Sequence, residues 1–147
     1  MTAFKTVRSR EIIMGKLSHG SDLLAELTGI CTQKNITLGR IEALGAVRKA
    51  RLGFYNQETR QYEFHELDQA LEIVQLVANV SLKAGKPFVH AHVTLSDSNG
   101  AAYGGHLAPG TLVFACEFVI EAFDGPNFER NHDEETGLPL WTLEQTE

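Results

Sequence analysis

His90–Gly110 reads "HAHVTLSDSNGAAYGGHLAPG" and gathers three of the chain's six histidines, a turn signal and four glycines into one stretch. In an extended Pro87–Ser96, side chains alternate, so His90, His92, Thr94 and Ser96 share one face while Val89, Ala91, Val93 and Leu95 share the other. The first face is polar and the second is core. His90 and His92 then stand ~6–7 Å apart, a span that two metal ligands bridge with modest rotamer adjustment. Whether His106 joins them depends on the turn "DSNG". A two-residue Asn99–Gly100 loop sets Ser98 opposite Ala101 and His106 opposite Val93, on the core face. A three-residue Ser98–Asn99–Gly100 loop, closed by a left-handed glycine, sets Asp97 opposite Ala101 and His106 directly opposite His92. A bulge at Gly104–Gly105 rescues the first register by shifting the face once. All of these readings are open to the sequence.

Where the imidazoles converge, three neutral nitrogens suit Zn²⁺ or a similar divalent transition metal at about 2.0–2.1 Å, with a fourth position open to water or a ligand. The alternative is three histidines hydrogen-bonding beside a polar cleft or subunit boundary.

Outward from this stretch, β-branched and aromatic runs alternate with turn residues. Strands are expected at Phe4–Leu17, Thr37–Leu44, Val47–Tyr55, Gln61–His65, Leu71–Leu82, Pro87–Ser96, Ala101–His106 and Thr111–Phe123. The twelve mostly apolar residues from Leu71 also suit a buried helix, but their valines and isoleucine favour a strand. A helix is expected over Ser21–Lys34, because Leu23, Leu24, Leu27, Ile30 and Cys31 form one apolar stripe. Ser21 is the expected N-cap, Asp22 favours the positive end of the helix dipole, and Asn35 accepts the left-handed conformation that ends the helix. These elements predict an α+β fold, a largely antiparallel sheet with one or two packed helices. Residues 1–124 form the expected domain. Residues 125–147 are expected to be an acidic, largely irregular tail, pinned by its single Trp141.

With 147 residues, 43% hydrophobic and 22% charged, the chain has the size and composition of one globular domain. Cys31 and Cys116 lie far apart with no CxxC, so neither a disulfide framework nor a thiolate zinc site is signalled. The opening "MTAFKTVRSR" lacks the features of a signal peptide, and no run approaches the ~18 apolar residues of a membrane span. A cytoplasmic protein without a membrane partner is the expectation. A formal charge of −6 and a pI near 5.5 oppose attraction to a phosphate backbone.

The series "LEIVQLVANVS" and "KPFVHAHVTLSDSNGAAYGGHLAPGTLVFACEFVI", with "SDLLAEL" at the helix and "IEALGAVRKARLGFY" after it, resembles the plant and prokaryote conserved (PPC) domain, the PD1-like DNA-binding family. The likeness runs from about Phe4 to Asp124 and is to the stand-alone prokaryotic type. It implies an α+β, trimer-forming fold and an association with DNA. It also implies a metal held by the HxH pair and the GGH histidine, here His90, His92 and His106. Two departures are visible: the usual "GNIS" is "ANVS" at Ala78–Ser81, and the plant "GRFEIL" is only echoed by "QALEIV", which retains Glu72.

Three functions compete. A DNA-associated regulator needs a basic face, for which Lys5, Arg8 and Arg10 in the first strand and Arg48, Lys49 and Arg51 in "VRKAR" are the candidates. No AT-hook "RGRP" accompanies them, and such charges also protect strand edges. A metal-dependent enzyme or small-molecule sensor uses the three histidines, with Glu72 or Glu117 as proton shuttle or, failing that, as an interface ion pair. GxSxG, P-loop and GxGxxG motifs are lacking, which removes support for serine hydrolysis, nucleotide phosphate binding and dinucleotide chemistry. A trimeric interaction scaffold without catalysis, assembled through the apolar Thr111–Phe123, is the third.

Overall fold

The structure, a computed structural model, describes residues 2–143. In chain order the elements are β1 (Arg8–Lys16), α1 (Leu23–Gln33), β2 (Gly39–Asn56), β3 (Gln61–Leu67), β4 (Leu71–Lys83), β5 (Lys86–Ser96), β6 (Ala102–Leu107), β7 (Leu112–Asp124), β8 (Glu129–His132) and β9 (Pro139–Thr142). They form one sheet in the order β1-β7-β2-β6-β5-β4-β8-β9, with β3 added to β2 and a further pairing between β2 and β4. Pairing is antiparallel except at Leu82↔Glu129, where β4 meets β8 in parallel. The α+β class and largely antiparallel sheet are as expected, with a single helix among the described residues. Leu71–Lys83 is a strand, as its β-branched content demands.

Thr37–Leu44 and Val47–Tyr55, expected as two strands, are halves of the 18-residue β2. The reason is Gly45, at φ +146, where a Cβ would lie 2.1 Å from the carbonyl oxygen of Ala115. Only glycine lets β2 stay in the sheet at this close approach of the β7 backbone, while its register with β4 shifts between Ala43 and Gly45. The partners of β2 change along its length. Its first half pairs with β7 and β4, and its second half with β3 and β6. Because β4 pairs β5 and β5 pairs β6, strands β2, β6, β5 and β4 close a ring of hydrogen bonds.

The core is the inward half of each alternation. Ile41, Val47, Leu52, Leu76, Val80, Leu95, Leu107, Val113 and Ile120 are fully buried, joined by Leu23, Leu27 and Cys31 from the apolar stripe of α1. Each large side chain withdrawn from water contributes about 1.5–3 kcal/mol against chain entropy. Burial pushes the free thiols of Cys31 and Cys116 up to about 11, so both act as small hydrophobes.

Asp22, not Ser21, caps α1. Asp22 is extended (φ −77, ψ 123) and its Oδ1 accepts from the Ala25 amide at 2.9 Å, while its Oδ2 accepts from the Gly110 amide at 2.6 Å. Ser21 instead donates to the Ser18 carbonyl at 2.7 Å. A carboxylate that binds both the helix end and the loop before β7 outcompetes the neighbouring hydroxyl. Asn35 is left-handed (φ 51), as expected.

Beyond Asp124 the chain is more regular than its composition suggests. β8 and β9 form a hairpin (Arg130↔Trp141, His132↔Pro139), the Leu82 amide donates to the Phe128 carbonyl at 2.8 Å, and Phe128 meets Trp141 edge-on at 5.0 Å. Residues 144–147 of the expected tail lie outside the described residues. No helix among the described residues is long and apolar enough to cross a membrane.

Asp22→Ala is expected to lower unfolding free energy by about 1–2 kcal/mol in urea denaturation, and Ser21→Ala by less than about 0.5 kcal/mol. Equal losses would remove the assignment of the cap.

Candidate metal centre

Position of the cluster follows from the β5–β6 turn. The Asp97 amide donates to the Ala101 carbonyl at 3.0 Å, the Gly100 amide donates back to the Asp97 carbonyl at 3.0 Å, and Gly100 is left-handed at φ +80. This is the three-residue loop. The Asp97 carboxylate fills it: Oδ1 accepts from the amides of Asn99 (2.8 Å) and Ala101 (3.0 Å), and the Tyr103 hydroxyl donates to Oδ2 at 3.1 Å. These bonds hold the Asp97 carboxyl below the usual carboxylate range, the Asn99 amide first among them. The pairing Ser96↔Ala102 then runs uninterrupted to His92↔His106. Gly104 and Gly105 form no bulge. They give room instead, since a Cβ on Gly105 would lie 2.9 Å from the Gly53 carbonyl oxygen.

His90, His92 and His106 therefore meet on the side of the sheet away from the core. Their ring centroids are 5.1–5.7 Å apart, and one ring nitrogen from each lies within 4.8 Å of the others. Ligand nitrogens around a tetrahedral zinc sit about 3.3 Å apart, so small rotations of the rings close the set. His106 Nδ1 is buried with no hydrogen-bond partner, a cost that ligation or a bound group would remove. The donor set fits a zinc-like ion.

Burial is the first cause that lowers the basicity of both half-buried rings. It pushes His90 down to about 4, reinforced by the Arg130 charge and then by the other two imidazoles, and it pushes His106 down, reinforced by His92 and Arg130. At neutral pH both are unprotonated, the form that ligates.

Two groups around the cluster gave no signal in the sequence. Tyr62 on β3 sets its ring 4.8 Å from His106 and stacks on Phe64 at 5.9 Å. It reaches across β2 because Gly53 intervenes, where a Cβ would meet the Phe64 ring at 3.0 Å and the Tyr62 ring at 3.2 Å. Arg130 on β8 lies buried beside β4, its Nε donating to Ser81 Oγ (2.9 Å) and its Nη2 to Asn79 Oδ1 (2.6 Å). Asn79 is the cross-strand partner of His90. Neither residue belongs to a spacing motif, and only the topology makes them neighbours.

The two glutamates do not join the site. Glu72 pairs with Ser96, four residues along β5 from His92 or about 13 Å at strand rise. Glu117 on β7 is separated from β5 by β2 and β4 and lines an apolar groove with Met14, Lys16, Leu44 and Val74. The face of the sheet that bears this groove also carries the histidines. Residues directly opposite across strands share a face, and one such row runs Met14, Val119, Glu42, Val77, His92, His106. Met14, Leu44, Val74 and Val77 on this face are each at least 50% exposed.

Three of the basic candidates are engaged elsewhere. Arg10 pairs with Glu11 (3.1 Å), Lys49 with Glu66 (2.7 Å), and Arg51 stacks on Phe64 with its guanidinium 4.0 Å from the ring centre. Arg8 and Arg48 are exposed, with Arg8 paired in register with Asp124.

Residues 4–124 match the model of the Plants and Prokaryotes Conserved (PCC) domain. A metal-containing protein from Archaeoglobus fulgidus has the same fold, with TM-score 0.91, 41% identity and coverage of 97% of this chain and 99% of that one. A plant- and prokaryote-conserved protein from Pyrococcus horikoshii gives TM-score 0.91 at 29% identity, covering 99% of this chain and 100% of that one. Two structures named as candidate DNA-binding proteins, each 24% identical, share the fold alone. Among curated proteins, the bifunctional protein GlmU of Synechococcus sp. (strain JA-2-3B'a(2-13)) is 32% identical over 125 residues, 83% of this chain. The match spans only 18% of that relative's length.

In metal-stripped protein, His90 and His106 are held below their unfolded values, so the native state binds fewer protons than the unfolded chain as pH falls below about 6.5. Their contribution to stability is full above that pH and is lost as pH falls towards His90's value of about 4. His90→Gln is therefore expected to flatten the fall of Tm between pH 6.5 and 4, read by circular dichroism melts at each pH. An unchanged pH slope in the variant would contradict this.

Proposed function

The chain belongs to the Plants and Prokaryotes Conserved domain family, and from that premise we propose that it is a metal-dependent small-molecule-binding protein. His90, His92 and His106 hold one zinc or similar divalent ion. The observation that carries this reading is the convergence of three imidazoles, one with a buried and unpartnered Nδ1. The metal-containing Archaeoglobus relative supports it. A bound ion supplies a Lewis-acid position open to one ligand.

The chain's own residues shape that position. β5 and β6 fix the rings, and His92 keeps the cluster accessible from solvent. Burial pushes the Tyr62 phenol up, so it stays protonated and acts as a hydrogen-bond donor rather than a base. With Glu72 and Glu117 elsewhere on the sheet, ligand binding or sensing accounts for the site better than proton-transfer catalysis.

Direct duplex binding has less support than the family's DNA association suggests. The net charge is −6, and Arg10, Lys49 and Arg51 already have acidic or aromatic partners. Assembly has a specific observation in its favour. The exposed apolar face bearing Met14, Leu44, Val74 and Val77 is what a homotrimer of this chain would bury, with the histidine row at the rim of each interface.

Three measurements follow. Inductively coupled plasma mass spectrometry on tag-free protein is expected to find about one transition metal per chain, and none in a His92→Ala, His106→Ala double variant; equal content in both would refute the ligand assignment. Light scattering is expected to give a trimer mass that Val77→Glu lowers, whereas a wild-type monomer would refute assembly. Duplex DNA is expected to show no saturable binding at 0.15 M salt; binding that weakens steeply with salt would restore the DNA reading.

A further inference from the structure

Arg130 is the one buried arginine among the described residues, 8% exposed, and it comes from β8, beyond the residues that match the family model. Its environment is unusual for a guanidinium. No carboxylate among the described residues lies within salt-bridge distance of it. Three of its N–H groups go to neutral acceptors, Ser81 Oγ, Asn79 Oδ1 and the Pro139 carbonyl. The rings of Phe88 and Trp141 stand 5.5 and 5.4 Å from it. Glu129, the adjacent acid, turns instead to the Gly85 amide at 3.2 Å. Burying a cation without a counter-charge costs several kcal/mol, and fastening β8 to β4 needs no charge.

The cost makes sense beside the histidines. Asn79, which accepts from Arg130, lies opposite His90, and the Arg130 charge is felt at His90, His106 and Tyr62 alike. Three neutral imidazoles do not offset the charge of a divalent ion, so the loaded site and Arg130 together present about three positive charges, with no carboxylate among the described residues in salt-bridge distance of Arg130. Guanidinium and a zinc-like ion are each suited to carboxylate or phosphate oxygens, and Tyr62 adds a neutral donor.

Resting on the metal reading above, we propose that the ligand of this centre is a small oxyanion-bearing molecule, a carboxylate or phosphate, whose charge is shared between the metal position and Arg130. Arg130 is the residue that selects an anion over a neutral ligand.

The test uses the full chain loaded with Co²⁺, whose visible spectrum changes when an added ligand enters the metal's coordination sphere. Acetate, inorganic phosphate and neutral acetamide are titrated in turn. Acetate or phosphate is expected to shift the spectrum at concentrations at least tenfold below acetamide, and whichever binds more tightly identifies the oxyanion. Arg130→Gln is expected to weaken that anion about tenfold or more at unchanged cobalt content, and Arg130→Lys to recover part of the loss. A merely structural arginine would move the melting temperature without this anion-specific loss. Acetamide binding as well as acetate in the wild type would overturn the proposal even if the Arg130 variants fail to fold, as would an anion affinity within twofold of wild type in a folded Arg130→Gln. Failure of the wild type to take up cobalt would remove the metal reading itself and this inference with it.

Discussion

Everything at the candidate centre depends on the carboxylate of Asp97. By accepting from the amides of Asn99 and Ala101 it holds a three-residue turn, and that turn sets the register in which His106 faces His92. Side chains alternate along a strand, so a slip of one residue would send His106 into the core and Leu107 to the surface. The apolar pattern of β6 resists the same slip, because Leu107 is buried at 1% exposure in the ring of β2, β6, β5 and β4. Turn chemistry and core packing specify one register, and the site is its consequence.

The ring supplies the second constraint. β2 serves β7 and β4 with one half and β3 and β6 with the other, and it runs unbroken between them because Gly45 admits the close approach of the β7 backbone. That change of partners brings β3, and with it Tyr62, to the flank of His106 across the bare backbone of Gly53. β4 in turn carries Asn79 and Ser81 to Arg130. The polar groups of the centre therefore come from five strands whose order in the sheet is not their order in the sequence, a common origin for sites built on a rigid scaffold.

Much of this was legible in the sequence, for reasons that differ by element. The strands of the ring announced themselves through alternation, and α1 through its leucine stripe. The three histidines could be named as a set, but the residues alone left two turn lengths open, and the hydrogen bonds of Asp97 decide between them. The break expected between Leu44 and Val47 is absent, because a lone glycine in a strand also marks the close approach of another backbone, here that of β7 at Gly45. The tail misled through composition. Four-residue strands around an acidic turn carry too little periodicity to be seen, and Arg130 looks like any surface arginine until β8 is laid beside β4. The glutamates show the reverse error, since residue type suggested chemistry but strand order put Glu72 and Glu117 out of reach.

The central claim is that the β5–β6 register builds a metal centre, and anomalous diffraction at the metal edge from crystals of the zinc-loaded protein tests it most directly. The account predicts one anomalous peak per chain, about 2.0–2.1 Å from a ring nitrogen of each of His90, His92 and His106. A peak ligated by other residues, or none beside these three rings at full zinc loading, would contradict it.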